Sequence, residues 1–564
     1  MLIAATMPKN AVLARASKLA AAIRSISATA EPGAAVQFPT DALFRGARSS
    51  VILRFRVHRA YAVCDAAQEI LADSPAALAF HAVFRRQMLN SAVARFIAMH
   101  DHLPKQRSPA WLASRITEPH VGGSEVATVM GLNPYKKWEE MLLEKATAAL
   151  PEPTPDDVPP ASFGGIACHW GTLFEPVIEA HVARECGAPV LATDLGSVPG
   201  QRDHRYSADG IGVFDFWMHA ETAVSVAPPV ASPVPARRSR EPVDAIDFGD
   251  IEIPGLGRVS LGGTAPELHS VSTPTLAPSQ PAATAPVLEQ VCEVALVGSA
   301  CPPGAKRRTM CALLEFKCPY RRFPKAEVPV HYRPQVLMGL DTVTPAEIGV
   351  FVEAVYRKCE WNDLGFGPEI DRRYHGRAGL KRWPSALTWG AIAVWAPAAD
   401  LRARGEAWGA VEDVLGSAVV FEHAGEWVVP ENYDWRAIVA KWGPVDLGDT
   451  PSWVFGNNGN GGVMALIDAG VCVGQPGRSV FPGDAPIEPD ELWANPPAGD
   501  WIPFGVIPWK MMEIAYHPVL PEPHFVSEAA ERIADTIALV HECRATSDPA
   551  EAAARISADH EYKT

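Results

Sequence analysis

The sequence predicts an α/β fold: a central mixed sheet of about five strands flanked by helices and interrupted by long insertions. Three observations lead there. Short apolar runs at 211–218, 311–318 and 348–356 read as strands. Stretches at 50–100, 138–150, 172–186 and 527–545 repeat apolar residues every three to four positions, as amphipathic helices do. With 52 Pro and 43 Gly in 564 residues, an unbroken helical bundle is excluded and long loops are required.

Taken in order, residues 1–110 read as a basic tail followed by a helical region. Lys9, Arg15, Lys18 and Arg24 precede the first acid, Glu31, so 1–30 is expected to be a flexible tail, with a composition that also resembles a transit peptide. The Ala-rich 50–100 stretch is a helical cap. Residues 111–218 form the first part of the core: a glycine-led helix stopped by Asn133-Pro134, a helix at 138–150, a third at 172–186 ending at Gly187, then strand-like runs at 188–198 and 211–218. Residues 219–305 hold 13 prolines and read as a mostly disordered insertion with a local hairpin at 247–261. Residues 306–361 resume the core with a strand around CALLEFKCP, a helix start at 331–341 and the strand IGVFVEAVY. Residues 362–503, rich in Gly, Trp and Pro, read as an accessory β-rich insertion. Residues 504–564 supply a closing strand and a C-terminal helix.

The formal charge of −15 excludes a uniformly basic nucleic-acid coat, though not a local basic channel. Residues 1–120 carry 15 Lys/Arg against 7 Asp/Glu. The N-terminal part is therefore the expected place of contact with a polyanion. The ten cysteines contain no C-x-x-C pair, which excludes the common zinc patterns and a disulfide scaffold, and points to reduced thiols in an intracellular protein. No apolar run is long enough for a membrane helix, so neither secretion nor membrane insertion is expected.

The chemistry concentrates in Asp209, Glu315 and Lys317. Residues i and i+2 of a strand share a face. Glu315 and Lys317 therefore point the same way from an otherwise apolar strand, and Phe316 turns into the core. Pairing with the strand opened by Asp209-Gly210 would add the second carboxylate. Two carboxylates and a lysine are what a magnesium-dependent phosphodiesterase needs. Hard oxygens hold Mg²⁺, the cation polarises phosphate and acidifies water, and the lysine orients water or offsets charge on phosphate oxygens. D…E-x-K alone is a weak pattern, since many strands carry Glu-x-Lys on a solvent face.

Five segments in succession, RITEPHVGGSEVATVMGLNPY, WGTLFEPVIEAHVARECG, YSADGIG, LLEFKCP and VPVHYRPQVLMGL, resemble the motifs of the YqaJ-type viral recombinase nucleases. These are relatives of the phage lambda exonuclease and of the alkaline exonucleases of large DNA viruses, within the PD-(D/E)XK superfamily. The resemblance covers about 111–218, 306–360 and 504–545. It implies a restriction-endonuclease-like core, with Glu175, Asp209, Glu315, Lys317 and Gln335 as catalytic residues. It implies Mg²⁺, with Mn²⁺ as the alternative, held by Asp209, Glu315, the Phe316 backbone carbonyl and Glu175. Ser207-Ala208-Asp209-Gly210 lacks the proline of the family's S-P-D-G, which changes turn stiffness rather than ligand chemistry. Glu175 also fits a capping box with Thr172, and Gln335 also fits an exposed helix position.

The resemblance further implies a 5′-phosphate pocket of Arg115, Ser124 and Ser207, the spacing from Arg115 to Ser124 being insecure. Ser124, after two glycines at a helix start, suits an anion, and equally suits plain capping. Lys306, Arg307, Arg308, Arg321, Arg322, Lys325 and Arg333 are candidates for a phosphate-tracking groove. The function so implied is a 5′→3′ DNA exonuclease on linear duplex ends in viral recombination or replication. It would act in the host cytoplasm or nucleus, with double-stranded DNA ends as substrate, a single-strand annealing protein as partner and a homo-oligomer as one assembly. The rivals are a structure-specific endonuclease on the same fold and a catalytically silent DNA-binding or assembly protein.

Overall fold

A computed structural model describes residues 8–30, 35–106, 108–148, 163–193, 195–200, 203–220, 306–319, 324–358, 388–397 and 501–561, together with short strands and single positions between them. Most of the two expected insertions lies outside the described residues.

Helices α1 (Lys9–Thr29), α2 (Ser50–Ile70), α3 (Pro75–His100) and α4 (Pro109–Thr117) come first, followed by β1 (Val121–Gly122), the single-turn α5 (Val126–Val129), α6 (Trp138–Thr147) and α7 (Phe163–Cys186). The strands β2 (Val190–Leu191), β3 (Val198–Pro199) and β4 (His204–Tyr206) lead into β5 (Gly210–Ala220). Then come β6 (Val224–Ser225), β7 (Asp250–Ile253), β8 (Gly257–Ser260), β9 (Leu288–Glu289), β10 (Cys292–Leu296) and the long β11 (Lys306–Lys317). After α8 (Arg333–Thr342) follow β12 (Ile348–Lys358), β13 (Trp389–Pro397), β14 (Phe421–His423), β15 (Glu426–Val428), β16 (Cys472–Val473), β17 (Trp501–Val519), α9 (Pro523–Arg544) and α10 (Pro549–Glu561). Serine side chains cap three of the early helices: Ser49, Ser74 and Ser108 accept from the backbone N–H of Ile52, Ala77 and Trp111, satisfying groups a helix start leaves open.

The central sheet is mixed, as expected, but has eight strands rather than about five. Its order is β10-β5-β11-β12-β17-β13-β16, with β2 also on β5. β11 and β12 are parallel and joined through α8, the crossover a parallel pair needs; the pairs β5–β11, β12–β17 and β13–β17 are antiparallel. The added strands come from the stretches expected to be insertions. β17 runs for 19 residues, longer than β12 can cover, and β13 takes up its remaining main-chain groups. The 362–503 boundary therefore does not exclude its β13 and β16 from the core sheet. The hairpin expected at 247–261 is the β7–β8 pair.

Alternation along β5 and β11 sorts two faces. Phe214, Phe216, Met310, Ala312, Leu314 and Phe316 pack with Phe174, Val177 and Ile178 of α7. Ile211, Val213, Cys311 and Leu313 pack instead with α1, α2 and α3. The expected basic tail is thus a correction: residues 9–29 are helix α1, and its Ala16, Leu19, Ala20, Ile23 and Ile26, spaced three and four apart, are buried. The N-terminal region shares one continuous core with the sheet rather than capping it loosely. Beside α8, a third layer of α5, α6, α9 and α10 buries Val126, Met141, Met338 and Ile533 in one cluster and Leu142, Val540 and Ala553 in another. α10 lies beyond the helix expected at the C-terminus. Among the described residues no helix is long and apolar enough to cross a membrane, and Cys64, Cys186, Cys311, Cys318 and Cys543 are free thiols.

Candidate active site

The β5–β11 register aligns Gly210 with Leu314. One step further, Asp209 stands opposite Glu315. The Asp209 carboxylate accepts from the Phe316 backbone N–H at 2.8 Å, which fixes the strand entrance against β11. Glu315 is fully buried on the Leu313 face. Its Oε2 accepts from the Tyr206 hydroxyl at 2.6 Å, and its Oε1 accepts from Lys317 Nζ and from Gln335 Nε2. Asp209, Glu315, Lys317 and Gln335 are therefore brought together, and Phe316 turns into the opposite core as alternation requires.

The electrostatics show crowding. Burial, and then the neighbouring Asp209 carboxylate, push the Glu315 carboxyl up to about 7, against the pull of Lys317. Burial works against the Lys317 ammonium, yet Glu315 and Asp209 together hold its pKa above the ordinary lysine value. One lysine thus serves two carboxylates, in a place where an unbalanced charge is costly. The hard oxygens of Asp209 and Glu315 are the donor chemistry that Mg²⁺ takes. The Phe316 carbonyl lies on the same strand.

Glu175 stands on a different element. It lies half-buried on α7 between Phe174 and Val177, whose cluster covers the other face of the sheet. Among the described residues no group of three or more His, Cys, Asp or Glu side chains is placed to hold a metal. The capping-box alternative for Glu175 fails as well, because α7 begins at Phe163 and Thr172 is inside it.

The three residues read as a phosphate pocket are differently occupied. Ser124 is exposed, on a three-residue 3₁₀ turn followed by the single-turn α5. Ser124 thus stands at a helix start, as expected, but the helical stretch ends at Val129 and aligns few peptides. The Gly122 N–H is taken by the Glu125 carboxylate at 2.8 Å. That carboxylate also meets Lys145 at 2.9 Å and Arg115 at 3.4 Å, and these cations hold it below the usual carboxylate range although burial works the other way. The Arg115 guanidinium lies 4.9 Å over the Trp111 ring. Trp111 Nε1 donates to Ser197 Oγ at 2.6 Å, and Ser197 Oγ is 3.0 Å from Ser207 Oγ. Arg115 and Ser207 are thus joined through Trp111 and Ser197.

Of the basic residues expected to line a groove around β11, three meet carboxylates. Arg307 pairs with Asp215, Arg308 with Asp65 and Glu347, and Arg333 with Glu522. Arg321 and Arg322 lie outside the described residues.

Three residues beside the site escape the sequence reading. Tyr206 is hidden in HRYSADG, where Ser207 and Asp209 carry the recognisable pattern. Glu353 is fully buried on β12 in register with Lys317. Its signal, a lone acid in the apolar run IGVFVEAVY, is the one that marks Glu315. Gly123 is the third: a Cβ there would come within 2.6 Å of the Tyr206 ring and 3.4 Å of Gln335 Cγ, so only glycine lets the loop close over the site.

A two-carboxylate, one-lysine site at the junction of two core strands defines a candidate phosphodiester-cleaving centre, and it lies within a recognisable domain. Residues 110–344 match the model of the YqaJ-like viral recombinase domain. The relatives are more particular. A protein of African swine fever virus, in the isolates Tick/South Africa/Pretoriuskop Pr4/1996 and Tick/Malawi/Lil 20-1/1983, is 26% identical to this chain over 303 residues, 53% of this chain and 63% of the viral protein. The same protein of strain Badajoz 1971 Vero-adapted is 26% identical over 302 residues. The chain therefore matches somewhat under two-thirds of the length of these relatives.

Proposed function

We propose that this protein is a metal-dependent deoxyribonuclease with a PD-(D/E)XK core, acting 5′→3′ on linear duplex ends in viral recombination or replication. The observation that carries this reading is the meeting of Asp209 and Glu315 across β5 and β11, with Lys317 on the same face. Asp209, Glu315 and the Phe316 carbonyl would hold Mg²⁺, with Mn²⁺ as an alternative. Bound there, the cation supplies Lewis acidity toward the phosphodiester and balances the surplus negative charge. Lys317, kept protonated by its two carboxylate neighbours, orients the attacking water or offsets charge on the phosphate oxygens. Gln335 and Tyr206 hold the Glu315 carboxylate in one orientation. Ser207, Ser124 and Arg115, once Arg115 leaves Glu125, would receive the 5′-phosphate, which aligns the next phosphodiester with the carboxylates.

The test compares initial rates on linear 5′-phosphorylated, linear 5′-hydroxyl and covalently closed circular duplexes in the presence of Mg²⁺. Fastest digestion of the phosphorylated linear form is expected. Equal rates on the two linear forms, or rapid cutting of circles, would overturn the exonuclease assignment. One observation favours the second reading, a structure-specific endonuclease: Arg115 faces Glu125 and Ser207 faces Ser197, so neither is turned toward a chain end. Cutting of closed circles would establish it.

A further inference from the structure

We infer that Arg45, Arg48, Arg56 and Arg95 form a second DNA-binding surface, on the N-terminal helices, which grips the phosphate backbone of duplex DNA away from the Asp209–Glu315 site. In naming DNA the inference rests on the function proposed above.

Residues 1–60 contain nine Lys/Arg and two acids, Glu31 and Asp41. Folding gathers part of this excess at one loop. Arg56 of α2 donates to the Arg45 carbonyl, and Arg95 of α3 donates through Nε to the Ala47 carbonyl at 3.0 Å. Both guanidiniums thus reach the 44–49 loop from beneath. Arg45 and Arg48 rise from that loop and are exposed. Burial, and then the nearby Arg95 charge, lower the Arg56 pKa, and Arg56 Nε is buried with no acceptor. Asp41, the acid on the adjoining turn, accepts from Ser91.

The absence of acid partners sets this face apart. Among the described residues, Arg24, Arg54, Arg85, Arg86, Arg307, Arg308 and Arg333 each meet a carboxylate, whereas none of these four arginines does. Like charges held together raise the energy of the folded chain unless an anion answers them. The planar, multi-donor guanidinium suits phosphate oxygens in particular. A repeated array of backbone phosphates is the anion that engages several such groups at once.

Position agrees. Arg54 ties α2 to α8 by pairing with Asp341 at 3.1 Å, while Arg56, two residues on, stands on the opposite side of the helix. Asp341 and Gln335 lie on α8, about 9 Å apart along the axis, and Gln335 reaches Glu315. On the other side, α3 runs on from Arg95 to His100, and the turn beyond it carries Leu103 and Pro104. These press so closely on Gly196 that a Cβ there would meet the Pro104 carbonyl at 2.1 Å. Gly196 adjoins Ser197, the partner of Ser207. The elements that carry the surface are therefore held to those that carry the site by two routes.

The experiment measures binding of the full chain to a duplex of about 30 base pairs by fluorescence anisotropy, with metal chelated so that nothing is cut, from about 50 to 200 mM salt. Arg45→Ser with Arg48→Ser removes two exposed charges whose side chains make no hydrogen bond in the structure. Lys9→Ser with Lys18→Ser, on α1, is the charge-matched control. The arginine pair should lower affinity about tenfold at the lowest salt and flatten the slope of log K against log salt by one to two units, about 0.9 per lost phosphate contact. The lysine pair should leave both unchanged. An unchanged slope in the arginine variant, an equal loss in both variants, or a loss confined to phosphatidylserine vesicles would overturn the inference. Because the readout needs no hydrolysis, its failure is distinguishable from failure of the nuclease reading, which the cleavage assay tests alone.

Discussion

The two ends of β11 hold buried charge in different ways. At the Arg308–Thr309 end, Arg85 and Arg308 face Asp65 and Glu347, two cations against two anions. Arg85 also donates to the Thr309 carbonyl at 2.7 Å. At the Glu315–Lys317 end, one lysine faces Asp209 and Glu315. The first cluster is balanced and needs nothing further; it ties α3 to the sheet. The second sets two carboxylates against one lysine, and on the function proposed above a cation completes it. One strand thus carries a cluster that ties helices to the sheet and a cluster read as the reacting site.

Breaking the chemical end should have the largest effect on activity and the smallest on the fold. Glu315→Gln keeps the shape but removes a charged oxygen donor. Cleavage of linear duplex should fall by about 10³-fold or more, the scale seen when a single transition-state stabiliser is removed, while thermal stability holds or rises because crowding with Asp209 is relieved. Retained cleavage would remove Glu315 from the chemistry.

The structural end should respond in the opposite sense. Arg85→Ala removes the fully buried cation and leaves Glu347 and Asp65 to Arg308 alone. Breaking a buried pair costs up to about 3–5 kcal/mol, less what Arg308 still supplies, read as a lower denaturation midpoint, while the rate of the remaining folded protein stays near normal. A large rate loss with unchanged stability would erase the distinction between the two ends.

A smaller effect on the same end comes through pH. His81 lies one turn before Arg85 on α3, and its Nε2 donates to the Cys64 carbonyl at 3.0 Å. Burial lowers its pKa to about 4. Its neutral form is favoured in the folded state, so its contribution is complete above the unfolded value near 6.5 and is lost as pH falls from there toward 4. Fully developed, that loss is about 3 kcal/mol. Melting temperatures from pH 7 to 4 should drop less steeply in His81→Gln than in the parent chain, and parallel curves would discount His81.

Local signals carry the sequence reading a long way. Period-two alternation in ALLEFKCP puts Glu315 and Lys317 on one face, and the pairing that brings Asp209 opposite follows from SADG opening a strand. What stays hidden depends on distant partners. Nothing local in KNAVLARASKLAAAIRS distinguishes a basic tail from α1, because its Ala and Leu face becomes a helix face only when α2 is there to cover it. The eight-stranded sheet is not legible because β13 joins through the extra length of β17, across more than a hundred residues. Arg115 reads as a phosphate ligand, yet its present partner, Glu125, depends on how the 122–125 turn closes. Glu353 is different, since the lone acid in its apolar run is a usable local signal.

The smallest expected effect lies outside both clusters, on the chain from Arg115 through Trp111 and Ser197 to Ser207. Trp111→Phe keeps an aromatic face beneath Arg115 but deletes the N–H that donates to Ser197. Ser197 then loses the bond that fixes its hydroxyl toward Ser207, and Ser207 is free to turn. A single neutral hydrogen bond is worth about 0.5–1.5 kcal/mol, so the rate on 5′-phosphorylated relative to 5′-hydroxyl ends should fall by about two- to tenfold. The rate on 5′-hydroxyl ends should stay the same, because Asp209, Glu315 and Lys317 are untouched. Equal loss on both kinds of end would mean that Trp111 supports the site as a whole rather than the alignment of a chain terminus. No loss on either would mean that Ser207 keeps its orientation without this chain.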